Sequence, residues 1–414
     1  RNFLIGGALS LLGPAAGGAL AGVTVSPQRD GPPGDVLVTI FLRGGADSLS
    51  VVVPHGDDDY YRNRPTLAVP HPHDAKAKPQ ERAIDLDGYF GLHPALSSLQ
   101  PLHEAGQLAI VHACGSGDQT RSHFEAMATV ERGVDRDTGP ASGWLARHLI
   151  STPWENRSPL RAVALGAMVP ETLRGAASAI ALETVADLEL KIPFKGREGA
   201  LDGALHYLYS PTGGDDPGGL RGAGQEALSV LKTLQALTPA SGKPAAGYPK
   251  DDLGEGLRQV ALLIKSGVGL EAACLDHGSF DTHVAQAPLI ASRLTSLGGG
   301  LAAFAADLGP DRWARTSVVV LSEFGRRVEE NSGAGTDHGR AGMMMVLGGG
   351  VVGHQVHGHW PGLAPANLEG PGDLKVTTDY RSVLAEVIRV RLRNPNIQSI
   401  FPGLAAGAVG VVRA

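Results

Sequence analysis

SVVVLSEFGRRVEENSGAGTDHG, Ser317 to Gly339, is the stretch on which the architecture turns. A β-branched, apolar run ends at Leu321. Glu323, Arg326, Arg327, Glu329, Glu330, Asp337 and His338 then follow within about twenty residues. An uninterrupted apolar run of this length reads as a strand buried on both faces, which is the environment of a parallel sheet. In open parallel sheets ligands bind outside the carboxyl ends of the strands. Charge crowded at such an end therefore points to a site.

Other segments repeat the pattern. Residues 36–42 (VLVTIFL) read as a buried strand stopped by Gly44-Gly45. QLAIVHACG, VGLEAACLD and AGMMMVLGGG read as further strands. HPALSSLQPLHEAG, TRSHFEAMATVERG, GWLARHLI, DLGEGLRQVALLIKSG, APLIASRLTSLGGGLAAFAADLG and DYRSVLAEVIRVRL read as helices. RAVALGAMVP and SAIALE look like short strands in a less legible region, 134–250, expected to be a cap or insertion. Strand alternating with helix implies crossover connections and an α/β fold.

Each strand end supplies chemistry. The first is followed by Asp47. The second leads through GSGDQTRSHF to Ser122 and His123, and Ser122 with Glu125 also fits an ordinary capping box. The third runs into DHGSFDTH, with Asp276, His277, Asp281 and His283; the fourth into Glu323, Arg326, Asp337 and His338. Carboxylate and imidazole from separate strands converging on one face would build a divalent-metal site. His354, His357 and His359 in HQVHGH form a second candidate cluster, or solvated histidines on a strand.

The 414 residues are 43% hydrophobic and 19% charged, enough for a large core. A net charge of −6 leaves no basic footprint, which argues against nucleic acid. The two cysteines, Cys114 and Cys274, each close a strand and read as small buried residues or as one disulfide. RNFLIGGALSLLGP resembles the second half of a twin-arginine export signal. Residues 1–34 are thus expected to be a signal or N-terminal anchor plus linker, and 35–414 one domain. The expected location is the periplasm or cell envelope, with membrane association through the anchor.

In order along the chain, LRGGADSL, LHPAL, TRSHFEAM, DHGSFDTH, VVVLSEFGR, GTDHG, MVLGGGVVGHQVHG and TTDYRSVLAEV…FPG resemble the bacterial family called domain of unknown function 1501. That resemblance covers most of residues 35–404. It implies kinship with the alkaline phosphatase and sulfatase superfamily, hence a three-layer α/β/α sandwich with a mostly parallel sheet. It also implies a role for individual positions. Asp281, His283 and His338, with Asp337 beside them, would hold one metal. Asp47, Ser122 and Glu323 would serve a second, which lacks an imidazole because Phe324 stands where His is expected, unless His123 substitutes. Zinc, manganese, magnesium and calcium are all candidate ions. Ser122, with Thr120 in reserve, would be the nucleophile. Arg326 would hold the anion, and Asp337 or His283 would move protons. The implied function is hydrolysis of phosphate or sulfate esters of small molecules or glycans. A non-catalytic envelope binding or assembly protein, with an envelope protein as partner, is the alternative. A metal-dependent isomerase or transferase on the same fold is a third.

Overall fold

A computed structural model describes residues 35–136, 139–152, 156, 158, 160–176, 179–184, 247–405 and 407–414. The expected signal, residues 1–34, and residues 185–246 of the expected insertion lie outside the described residues.

The strands are β1 (Val36–Leu42), β2 (Val52–Val53), β3 (Ile84–Asp85), β4 (Gly91–Leu92), β5 (Leu108–Gly115), β6 (Ala162–Leu165), β7 (Ala179–Leu182), β8 (Ala272–His277), β9 (Thr316–Ser322), β10 (Gly342–Gly348), β11 (Val356–His357) and β12 (Thr378–Asp379). Nine of them form one sheet in the order β11-β5-β10-β9-β1-β8-β6-β7, with β12 also on β5; β2, β4 and β3 make a small separate sheet. In the large sheet β10 runs against its neighbours β5 and β9, and every other pair is parallel. The region expected to be a cap thus begins by extending the sheet: β6 pairs with β8, and β7 with β6.

Helices longer than seven residues are, among those described, α1 (His123–Arg132), α2 (Trp144–Ser151), α3 (Asp252–Lys265), α4 (Gln286–Trp313) and α5 (Tyr380–Val390). They cover both faces. Successive strand residues point to opposite sides, so Val38, Ile40 and Leu42 pack with α3 and α4, while Leu37 and Phe41 pack with α1, α2 and α5. Two cores sandwich one sheet, which explains why the central strands are apolar without alternation. Cys114 and Cys274 are free and buried, on β5 and β8, which are separated by three strands.

The link after β1 turns on glycine. Gly44 has φ +113 and Gly45 φ +62, both in the left-handed region. A Cβ on Gly44 would stand 2.5 Å from the backbone N of Asp281, and one on Gly45 2.5 Å from the Phe324 ring. The end of β1 can therefore lie directly against the segments that carry those two residues.

Candidate metal centre

Four side chains meet at the carboxyl edge of the sheet. His123 opens α1 after β5; Asp281 and His283 follow β8; His338 lies on the segment entering β10. Because β10 is antiparallel, its beginning falls on the edge where the parallel strands end. The ligand atoms of His123, Asp281 and His338 all lie within 4.8 Å of one another, so this group could hold a metal. His283 joins them: its Nε2 is 3.0 Å from Asp281 Oδ1 and 2.9 Å from His338 Nε2. His338 Nε2 is 3.1 Å and His123 Nε2 3.5 Å from the same Oδ1.

Each imidazole is held from behind. His123 Nδ1 is 2.7 Å from Glu323 Oε1, His283 Nδ1 3.3 Å from Asp337 Oδ1, and His338 Nδ1 2.8 Å from the carbonyl of Arg121. An acceptor at Nδ1 assigns the proton there and leaves the Nε2 lone pair facing inward, as in carboxylate–histidine–metal arrangements. Imidazole lone pairs and a carboxylate oxygen then face one another; Arg326 meets the Asp281 oxygen at 2.5 Å and His283 Nε2 at 3.4 Å, and among the described residues no such donor reaches the Nε2 atoms of His123 and His338. The buried His123 Nε2 has no hydrogen-bond partner. Ligands ~2.0–2.1 Å from a tetrahedral metal stand about 3.3 Å apart, close to the spacings of His123, His283 and His338 from Asp281 Oδ1. On donor chemistry, orientation and spacing the residues fit a divalent ion.

The electrostatics agree. Partial burial opposes ionisation of Asp281, but the Arg326 guanidinium holds its carboxyl below the usual carboxylate range. The hydrogen bond to Glu323 raises the proton affinity of His123 above its ordinary value, whereas burial lowers that of His338. Phe324 is buried with its ring centroid 4.9 Å from that of His123 and 5.0 Å from that of His338, an apolar wall behind the imidazoles.

Several sequence expectations need correction. Asp47 does not face the centre: it is fully buried, with Oδ2 2.5 Å and Oδ1 2.9 Å from Arg64 and further bonds from Ser50 and Gln286. Glu323 and Asp337 stand behind imidazoles rather than among the ligands. Glu323 also accepts from the Gly44 N–H and the Ser322 hydroxyl. Arg326 is no free anion fork, since its donors go to the carbonyls of Gly44, Gly45, Phe280 and Thr336 and to Asp281. It fastens the loops together and touches the centre at Asp281 and, at 3.4 Å, at His283 Nε2, because a fully buried guanidinium needs every donor satisfied. Ser122 is the N-cap residue of α1 and makes no capping bond with its side chain. Thr120 donates instead to Glu125, at 2.6 Å. His123, weighed only as a substitute, is a full member of the cluster. Its signal was its position beside a strand-end serine. His354, His357 and His359 form no cluster with ligand spacing: His357 is 2.7 Å from the Val352 carbonyl, and His354 packs against His103.

The family described as Protein of unknown function (DUF1501) matches residues 35–388. Among curated proteins none matches. Among solved structures, the PH0037 protein from Pyrococcus horikoshii is similar at a TM-score of 0.31 and 11% identity, over 77% of this chain and 87% of that one. So distant a likeness does not bear on the site.

Proposed function

The chain belongs to the DUF1501 family of proteins of unknown function, and from that premise we propose that it is a mononuclear metal-dependent hydrolase of phosphate or sulfate esters. The observation that carries this reading is the triad His123, Asp281 and His338, whose ligand atoms lie within 4.8 Å of one another at the carboxyl edge of the sheet, with His283 Nε2 beside it 3.0 Å from Asp281 Oδ1. Three nitrogen donors to one oxygen suit zinc better than magnesium or calcium, which favour all-oxygen sites. With Phe324 packed against His123 and His338, the second metal position implied by the family resemblance is left out of the proposal.

A bound divalent ion would polarise an ester oxygen and lower the pKa of a coordinated water or hydroxyl. The protein's own residues do the rest. Glu323 and Asp337 hold two imidazoles in the required tautomer. Ser122, one residue before His123 and free of a capping bond, is the candidate nucleophile. Arg327 and Arg121, each about a third exposed and paired with Asp337 and Asp373, are the candidates for the anion-holding role that Arg326 cannot take.

The test is elemental analysis of protein purified with metal supplied, wild type beside His338→Ala, together with a screen of aryl phosphates and aryl sulfates. Near-stoichiometric metal lost in the variant, with turnover of one ester class, supports the proposal. Absence of metal from the wild type sinks it. Stoichiometric metal without turnover of any ester favours the second reading, an envelope binding protein, which the complete engagement of Arg326 motivates. We place the protein in the periplasm or cell envelope on the export-signal resemblance of residues 1–14. A folding-sensitive periplasmic reporter fused after residue 34 checks that placement.

A further inference from the structure

Asp373 is a buried carboxylate, 1% exposed, that stands outside the cluster of ligands. It closes a tight turn, in which the Glu369 N–H donates to the Asp373 carbonyl at 2.9 Å and the Asp373 N–H to the Glu369 carbonyl at 2.8 Å. The turn is fastened to the loop that presents Asp337 and His338. Asp373 forms an isolated antiparallel bridge with Arg327, the Ala341 N–H donates to the Leu374 carbonyl at 3.2 Å, and Arg340 pairs with Glu369. The Asp373 side chain reaches a third segment, where Oδ2 accepts from the Arg121 guanidinium. Its Oδ1 is buried and has no hydrogen-bond partner among the described residues. A carboxylate sunk so deep with half its accepting capacity unused is a poor fastener if stability is all it serves.

Arg121 is where that grip acts. It lies in the irregular connection between β5 and α1, residues 116–122. Among the described residues two hydrogen bonds tie it to other segments: its guanidinium to Asp373, and its carbonyl, 2.8 Å from His338 Nδ1. A carbonyl on irregular backbone keeps its direction only as well as its residue is anchored. We propose that Asp373 is a positioning residue for the metal centre: by holding the Arg121 side chain it fixes the carbonyl that orients His338. The proposal rests on the metal centre described above. The contacts close a ring. From His338 the chain runs to Arg340 and Ala341, these meet Glu369 and Leu374, the turn carries Asp373, Asp373 holds Arg121, and Arg121 returns to the His338 ring. A ligand's outer partner sets its tautomer and direction, so a slack Arg121 would be felt at His338 Nε2. The plain alternative, an ion pair that only joins two loops, predicts no effect on the ion.

The experiment measures the affinity of the folded full chain for Zn2+ alone, without denaturant, by competition with a chromogenic chelator. With metal as the sole probe, any part of Arg121 in holding an anion does not enter. Arg121→Ala keeps the carbonyl and removes the grip, at a position about a third exposed. Asp373→Ala removes the other half of the pair. Each should weaken zinc binding about tenfold, the lower end of the range for groups that orient a metal ligand. The double variant should bind no more weakly than either single one. Glu386→Ala is the stability control: Glu386 is buried on α5 and accepts from the N–H groups of Val409, Gly410 and Val412. That change should lower the urea midpoint and leave zinc affinity as in wild type. Unchanged affinity in Arg121→Ala overturns the proposal, and decides it even if Asp373→Ala fails to fold. Losses that add in full in the double variant overturn it as well; in both cases the metal centre stands. An equal loss in Glu386→Ala traces the effect to general stability and overturns it too. Wild-type protein that takes up no zinc overturns the centre and this inference together.

Discussion

The side chains behind the imidazoles orient them: Glu323 meets His123 Nδ1 and Asp337 meets His283 Nδ1. Asp337 touches no other member of the cluster than His283, and it also accepts from Asn331 at 3.1 Å. Asp337→Asn is therefore expected to weaken metal binding about 10–100-fold with the fold intact, measured by competition with a chromogenic chelator. Asp47 behaves differently. Burial pushes its carboxyl up, yet the Arg64 guanidinium outweighs burial and holds it below the usual carboxylate range. A carboxyl depressed in the folded state contributes stability above its unfolded pKa of about 4 and loses it as pH falls through the folded value. Asp47→Asn would leave Arg64 buried without its counter-charge, at a cost of about 3–5 kcal/mol, read from the urea midpoint at neutral pH. The difference from wild type should shrink as the pH drops below about 4. Part of the centre was legible: Asp281 and His283 stand in an acidic-histidine string just after β8, and His338 in another on the segment between β9 and β10. Asp47 was misread because a strand-end carboxylate looks the same in sequence whether it faces a ligand or a buried arginine. Arg326 was misread because its bonds to four carbonyls depend on how three loops fold over one another.

At the scale of elements, the central strands were readable because burial on both faces leaves unbroken apolar runs. Helices were readable where no proline intervened. HPALSSLQPLHEAG, read as one helix, is a 3₁₀ segment, Pro94–Leu99, followed by a short helix, Gln100–Glu104. Pro94 and Pro101 each sit in a first turn, where a missing N–H costs nothing. The long α4 leaves the helical path at its expected end, Gly309 at φ 69, and a further short turn, Pro310 to Trp313, follows the kink. The turn after β1 gives a test at this scale. Gly44→Ala forces a Cβ against the Asp281 backbone and a side chain into the left-handed region. It should cost about 1–3 kcal/mol and shift Asp281, so that metal affinity and melting temperature fall together. A surface glycine with open space around it, such as Gly372→Ala, controls for backbone strain alone, since it too has positive φ.

For the whole molecule, an ion that binds only the folded chain stabilises it by mass action. At a free concentration one hundred times Kd the gain is about 2.7 kcal/mol, several degrees in melting temperature for a domain of this size. That shift should vanish in His338→Ala and on adding a chelator to the wild type, as scanning calorimetry would show. The layered α/β/α plan was legible from the alternation of elements. The reversed direction of β10 was not, because a buried strand carries the same apolar composition whichever way it runs. That reversal sets a timetable. His338 reaches the centre only on the segment that enters β10, and its ring is fixed by the carbonyl of Arg121, 217 residues earlier. While the ribosome is still making the stretch between them, the nascent chain has His123 but not the partner that closes the cage. A metal held by His123, Asp281 and His338 together could therefore be bound only once the chain has been made as far as His338, too late to template the folding of the segments that precede it.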